Sequence, residues 1–212
     1  MINYNMNLKN VFNNLILENG GTGGHLIIVD VQPEYQDGFN YWFREFIRYL
    51  NKNYRNFNRI TMFFNGPELG MIEEHEYRDW WMDNGLDEDV IDYVHFYDKS
   101  YAFFRYCMDE GIDEDSIVNL VKFMYDNEIN DSRDLTENFW DEYIGQYGDD
   151  DIRDLLEFSD DAIHIPDLMS ELRNYGNDLT ICGGGVNECM KEIEIALLAF
   201  LANFKTFSSS TR

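Results

Sequence analysis

The stretch His25–Val31, HLIIVDV, constrains the fold more than any other, because Leu26, Ile27, Ile28 and Val29 are apolar without a break. A strand with one solvated face alternates apolar and polar residues, whereas an unbroken run belongs to a parallel strand covered on both faces. Parallel strands need long crossovers, so the remaining chain has to supply amphipathic helices between further buried strands. The run ends in a charge, Asp30, and Pro33 then forces the chain out of the sheet. Open parallel sheets hold ligands outside the carboxyl ends of their strands, which makes Asp30 a candidate functional residue; an aspartate there can equally cap the next turn.

The chain keeps to this pattern. Trp42, Phe43, Phe46, Ile47 and Leu50 recur at helical spacing with Arg44, Arg48 and Lys52 opposite, which predicts an amphipathic helix. Ile60 to Phe64, ITMFF, predicts a second buried strand ended by NGP, and MIEEHEYRDWWMDNG a helix stopped by Gly85. Trp80 and Trp81 on that helix can line a substrate pocket or fill core. Tyr93 to Tyr97, YVHFY, predicts a third strand that delivers Asp98 and Lys99 to a loop, and Ser100 caps the helix that follows. Before all of these, Val11, Phe12, Leu15, Ile16 and Leu17 predict an N-terminal helix over about residues 8–18. The NGGTGG after it precedes a strand and lacks Gly-Lys-Ser/Thr, which excludes a phosphate loop.

Near the carboxyl end, LTICGGGVNECMKEIEIALL reads as strand, glycine elbow and helix, with Cys189 at the helix start. Unpaired N–H groups at a helix N-terminus favour a thiolate and supply donors to a developing oxyanion. Cys189 is therefore a candidate nucleophile, against the alternative of a buried cysteine after an ordinary turn. Cys107 and Cys182 complete an odd number of cysteines without C-x-x-C spacing, so neither a disulfide framework nor a zinc site is expected.

The formal net charge of -25 argues against nucleic acid, because phosphate contacts need clustered Lys and Arg and only 16 of those face 41 acidic residues. No apolar run reaches the about 20 residues of a membrane span and the start lacks a secretory h-region, so a cytoplasmic protein is expected. Residues 107 to 161 hold 19 of the acidic residues against Lys122, Arg133 and Arg153, with Ile117, Leu120, Val121 and Met124 at helical spacing. This predicts an acidic helical insertion within a single domain of 212 residues, acting as a lid or an interface, because Phe123, Phe139, Trp140 and Phe158 in it have to be buried against something.

Three separated features then align: HLIIVDVQPEY with Asp30, YDKSYAFF with Lys99, and CGGGVNEC with Cys189. Together they resemble the isochorismatase-like cysteine hydrolases, which include nicotinamidases, N-carbamoylsarcosine amidases and ureidoacrylate amidohydrolases. The likeness covers roughly residues 24 to 104 and 163 to 207. It implies a three-layer α/β/α Rossmann-like fold with a parallel sheet, catalysis by Asp30, Lys99 and Cys189, and an oxyanion hole of the backbone N–H groups of Gly185 and Cys189. Gln32, Tyr35, Phe103, Trp80 and Asn187 would contact a small-molecule substrate. The nicotinamidase Asp-x-His metal site has no counterpart in FFNGPELGM, where His75 is the only histidine nearby, so no metal and no cofactor is expected.

The resemblance leads to a hydrolase that cleaves a C–N bond of a small amide or ureido compound through a Cys189 acyl intermediate. Two other readings stay open. One is a non-catalytic relative, homo-oligomeric like the first, that binds a protein partner through the acidic insertion; the other is an isochorismatase-type enol ether hydrolase, which depends on Asp and Lys more than on the thiol.

Overall fold

A computed structural model describes residues 24–67, 70–99, 107, 110–129, 131–148, 150–157, 179–184 and 189–200. The predicted N-terminal helix and Phe158 lie outside the described residues. Of the described residues, those at 24–99 with 179–184 form one compact unit, and those at 107–157 with 189–200 form a second.

The first unit is α/β. Its strands are β1 (His25–Val29), β2 (Arg59–Phe64), β3 (Val94–Asp98) and β4 (Leu179–Gly183), in the order β3-β2-β1-β4 with every pairing parallel. Three helices join them: α1 (Gln36–Asn53), entered through a single 3-10 turn at Pro33–Tyr35, then α2 (Glu74–Asp83) and the short α3 (Glu88–Ile91). Register places Leu26 beside Ile60 and Ile28 beside Met62 and Cys182. These residues face one core with Phe43, Phe46 and Leu50 of α1 and Tyr77 and Trp81 of α2. The helical stripe read from the sequence is thus the buried face of α1, while Arg44 and Arg48 are exposed. Each large apolar side chain so buried contributes about 1.5–3 kcal/mol. Ile27, Val29, Phe63 and Ile181, whose side chains point to the opposite face, are also buried. That is why the β1 sequence has no polar alternation.

Cys182 is in the first core at 7% exposure, and burial pushes its thiol from 9.0 up to about 12. Cys107, at 1%, is likewise pushed up to about 12 by burial. An unfolded chain releases these protons above about pH 9 while the native one keeps them, so stability is full below that pH and falls as pH rises toward 12. Between pH 9 and 10, urea denaturation should show a slope of at most about 1.4 kcal/mol per pH unit for each thiol. Cys182→Ala should remove one thiol's share of that slope; an unchanged slope would mean that the thiol ionises freely in the native state.

The second unit is helical: α4 (Glu114–Asp126), α5 (Glu137–Tyr147), α6 (Asp151–Glu157) and α7 (Cys189–Phe200). Asp113 caps α4 by accepting from the Ser116 N–H at 3.0 Å, and Thr136 caps α5 by accepting from the Phe139 N–H at 3.3 Å. Helix α4 packs on both α5 and α7. Its Ile117, Leu120, Val121 and Met124 are buried, as are Phe139 and Trp140 of α5 and Met190 and Ile193 of α7. Apolar residues in the acidic segment are therefore buried in a core of their own unit, and Phe123 and Phe139 meet edge-to-face at 4.8 Å. Lys191 of α7 pairs with Glu114 of α4 at 2.6 Å. Among the described residues no helix is long and apolar enough to cross a membrane.

Candidate active site

Strand β1 sits where the sheet order reverses, with β2 on one side and β4 on the other. Ligands of open parallel sheets bind at such a switch point, outside the carboxyl ends of the strands. Asp30, the first residue after β1, occupies it. The Asp30 N–H still donates to the Phe63 carbonyl at 2.9 Å, but its φ of 51° is left-handed, an uncommon backbone for a residue with a side chain. Asp and Asn tolerate it best, yet it still carries a cost of the order of 1 kcal/mol or more.

Lys99 follows β3 and is anchored by its N–H on the Phe64 carbonyl at 2.8 Å. Strands lie about 4.8 Å apart, so β3 is about 10 Å from β1, and only a side chain as long as lysine crosses the end of β2 between them. Lys99 Nζ reaches Asp30 Oδ2 at 2.7 Å, with the two side chains 1% and 0% exposed. That contact is an ion pair without hydrogen-bond geometry, and Asp30 Oδ1 has no hydrogen-bond partner among the described residues. A carboxylate taken from water and left with an open lone pair is a poor source of stability, because desolvation offsets the attraction. It is a good source of a proton acceptor held beside a fixed positive charge.

On the other flank, β4 comes unusually close. Gly183 has φ 123°, and a Cβ there would lie 2.1 Å from the Val29 carbonyl oxygen. Gly184 then donates its N–H to that same oxygen at 2.6 Å. Only glycine fits, which gives the first glycine of the elbow a steric reason.

A polar network closes the β1–β2 side. The Asn65 N–H donates to Gln32 Oε1 at 2.9 Å, and Gln32 Nε2 donates to Glu34 Oε2 at 3.0 Å, to the Asn65 carbonyl at 3.4 Å and to Met71 Sδ at 3.4 Å. Asn65 Nδ2 donates to the Tyr35 hydroxyl at 3.1 Å, and that hydroxyl donates to Met71 Sδ at 3.4 Å. Gln32 is fully buried, whereas Tyr35 is 37% exposed. Behind them, the Tyr77 hydroxyl donates to the Val31 carbonyl at 2.8 Å. Burial above all, with the Asp30 and Glu34 charges adding to it, raises the Tyr77 pKa far above its ordinary 10.0, so this donor stays protonated.

Among the sequence-predicted residues, Asp30 and Lys99 are thus in contact, with Gln32 and Tyr35 on the loop that leaves Asp30. Trp80 stacks on Phe43 at 4.9 Å and packs against the helix-covered core. Cys189 is the first residue of α7 in the second unit, outside any disulfide and of intermediate exposure, unlike the buried Cys107 and Cys182. Phe103, Gly185 and Asn187 lie outside the described residues. Asn65, Met71 and Tyr77 were not singled out from the sequence. For Asn65 the signal was present, since NGP after a buried strand puts a polar amide at a carboxyl end, but it reads equally as a stop. Among the described residues no three His, Cys, Asp or Glu side chains are grouped to hold a metal ion. No family model, no curated protein and no solved structure matches the chain.

Proposed function

We propose that this protein is a cysteine hydrolase resembling the isochorismatase-like group, cleaving a C–N bond in a small amide or ureido compound, on a three-layer α/β/α version of the sheet described above. The observation that carries the reading is the buried Asp30–Lys99 pair at the switch point of a parallel sheet, with Asp30 left-handed and its Oδ1 lacking a hydrogen-bond partner among the described residues. Burial of both sheet faces supports the three-layer arrangement.

In this reading Asp30 takes the Cys189 thiol proton and the thiolate attacks the carbonyl carbon, forming a C–S bond. The oxyanion is held by the N–H groups of Gly185 and Cys189. Collapse breaks the C–N bond, and the proton on Asp30 leaves with the amine. Water then cleaves the thioester, giving the carboxylic acid and restoring the thiol. Lys99 holds the Asp30 charge in place throughout.

The test joins a reactivity measurement to a substrate screen. Iodoacetamide at neutral pH should label Cys189 well before Cys107 and Cys182, whose thiols are buried and pushed up to about 12. In a panel of small amides and ureido compounds, Cys189→Ala should abolish turnover, with Asp30→Asn nearly as severe, because members of one catalytic unit are not additive. Equal turnover in Cys189→Ala and wild type would eliminate the acyl intermediate. Loss confined to Asp30→Asn would then select the enol ether reading. Normal turnover in both would leave neither enzyme at this site.

A further inference from the structure

We infer that Gln32 is a positioning residue for the Asp30–Lys99 pair: its side-chain amide replaces the two backbone hydrogen bonds that the β1–β2 ladder loses where Asp30 turns left-handed. The ladder register pairs Val29 with Phe63, so its continuation puts Asp30 opposite Phe64. In a parallel ladder Asp30 would donate to the Phe63 carbonyl and accept from the Asn65 N–H, and the N–H of residue 32 would donate to the Asn65 carbonyl. The first of these bonds is present at 2.9 Å. The other two are made by the Gln32 side chain, whose Oε1 accepts from the Asn65 N–H at 2.9 Å and whose Nε2 donates to the Asn65 carbonyl at 3.4 Å.

A primary amide carries a donor and an acceptor side by side, as a peptide unit does, so it can stand in for one. The surroundings fix its orientation: among the described residues Nε2 faces acceptors, Glu34 Oε2 and Met71 Sδ besides the Asn65 carbonyl, and Oε1 faces a donor. The consequence reaches both members of the pair. Asp30 can leave the ladder and turn its carboxylate toward Lys99 while β1 and β2 stay latched two residues further on. Lys99 is hung on Phe64, the residue before the one that Gln32 grips. Without the latch the costly φ of Asp30 is free to relax toward extended backbone, which moves the carboxylate off Nζ. This role is distinct from the substrate contact implied by the resemblance. Its effect on turnover rests on the hydrolase reading, but the geometry can be tested without turnover.

The experiment follows the Asp30 carboxyl carbon and the Lys99 side chain by NMR in the full chain, with signals assigned through Asp30→Asn and Lys99→Met. Gln32→Ala and the volume-matched Gln32→Met should shift both signals toward those seen when the pair is broken. Hydrogen exchange at the Asn65 amide should accelerate about ten-fold or more. Gln32→Glu adds a readout that a merely structural role would not move. Its protonated carboxyl offers an O–H donor and a carbonyl acceptor, so the wild-type signals should return at acidic pH. They should be lost once it ionises, because a carboxylate has no donor for the Asn65 carbonyl. Unshifted Asp30 and Lys99 signals in the Ala and Met variants would overturn the inference, as would pH-invariant signals in Gln32→Glu. Unfolding of both Ala and Met variants would also overturn it, making Gln32 a determinant of the fold instead of the pair. Shifted signals without turnover of any substrate would leave the latch standing and remove only the hydrolase reading.

Discussion

Replacing Lys99 by methionine should cost about 3–5 kcal/mol in urea denaturation, the effect of leaving one member of a buried ion pair uncompensated. The side chains of Lys99 and Asp30 are 1% and 0% exposed, so no water replaces the lost ammonium. Adding Asp30→Asn to Lys99→Met should return most of that loss. Asparagine keeps the shape and tolerates the left-handed backbone at φ 51° while removing the stranded charge. The coupling between the two substitutions is the quantity that decides. Additive costs would mean that the pair is not energetically linked, and the buried charge argument for its function would fail. The double variant, although stable, should be inactive on any substrate that the wild type turns over.

Gly183→Ala should be the most damaging single methyl group in the first unit, with a loss exceeding about 4 kcal/mol or no folded protein at all. The added Cβ would stand 2.1 Å from the Val29 carbonyl oxygen and 2.7 Å from its nitrogen. Both are backbone atoms of the central strand and cannot turn aside, and φ 123° is itself closed to alanine. Gly145→Ala is the matched control. It lies within α5, with nothing within 4 Å of the new methyl, and should stabilise by about 0.5–1 kcal/mol through helix propensity. A Gly183→Ala protein as stable as wild type by circular dichroism melting would show that β1 and β4 are not held this close.

The strands were legible because burial leaves a local mark. ITMFF and LTICG are short runs, apolar but for one buried threonine each, and they became β2 and β4 within one residue of where the runs start and stop. The stripe of α1 was legible for the same reason, although its start at Gln36 was not, since Pro33 and the 3-10 turn hand over to the helix without a capping residue. Asp30 and Lys99 could be named from the sequence as strand-end charges. Nothing local says that they touch, because their meeting depends on β2 lying between β3 and β1 and on a lysine being long enough to pass its end.

The acidic segment shows the same division of labour. Ile117, Leu120, Val121 and Met124 announce that α4 has an apolar face, but an apolar face does not name its partner. Only the packed structure gives it α7, the helix that begins at Cys189. The amino-acid sequence by itself determined which segments are buried, their period, and which residues carry charge at strand ends, because these follow from side-chain chemistry a few residues at a time. Tertiary structure alone decided that Asp30 turns left-handed onto Lys99 and that Gln32 serves as backbone to Asn65. Those are contacts between residues 69 and 33 positions apart, and they are set by strand order and register, which no local window contains.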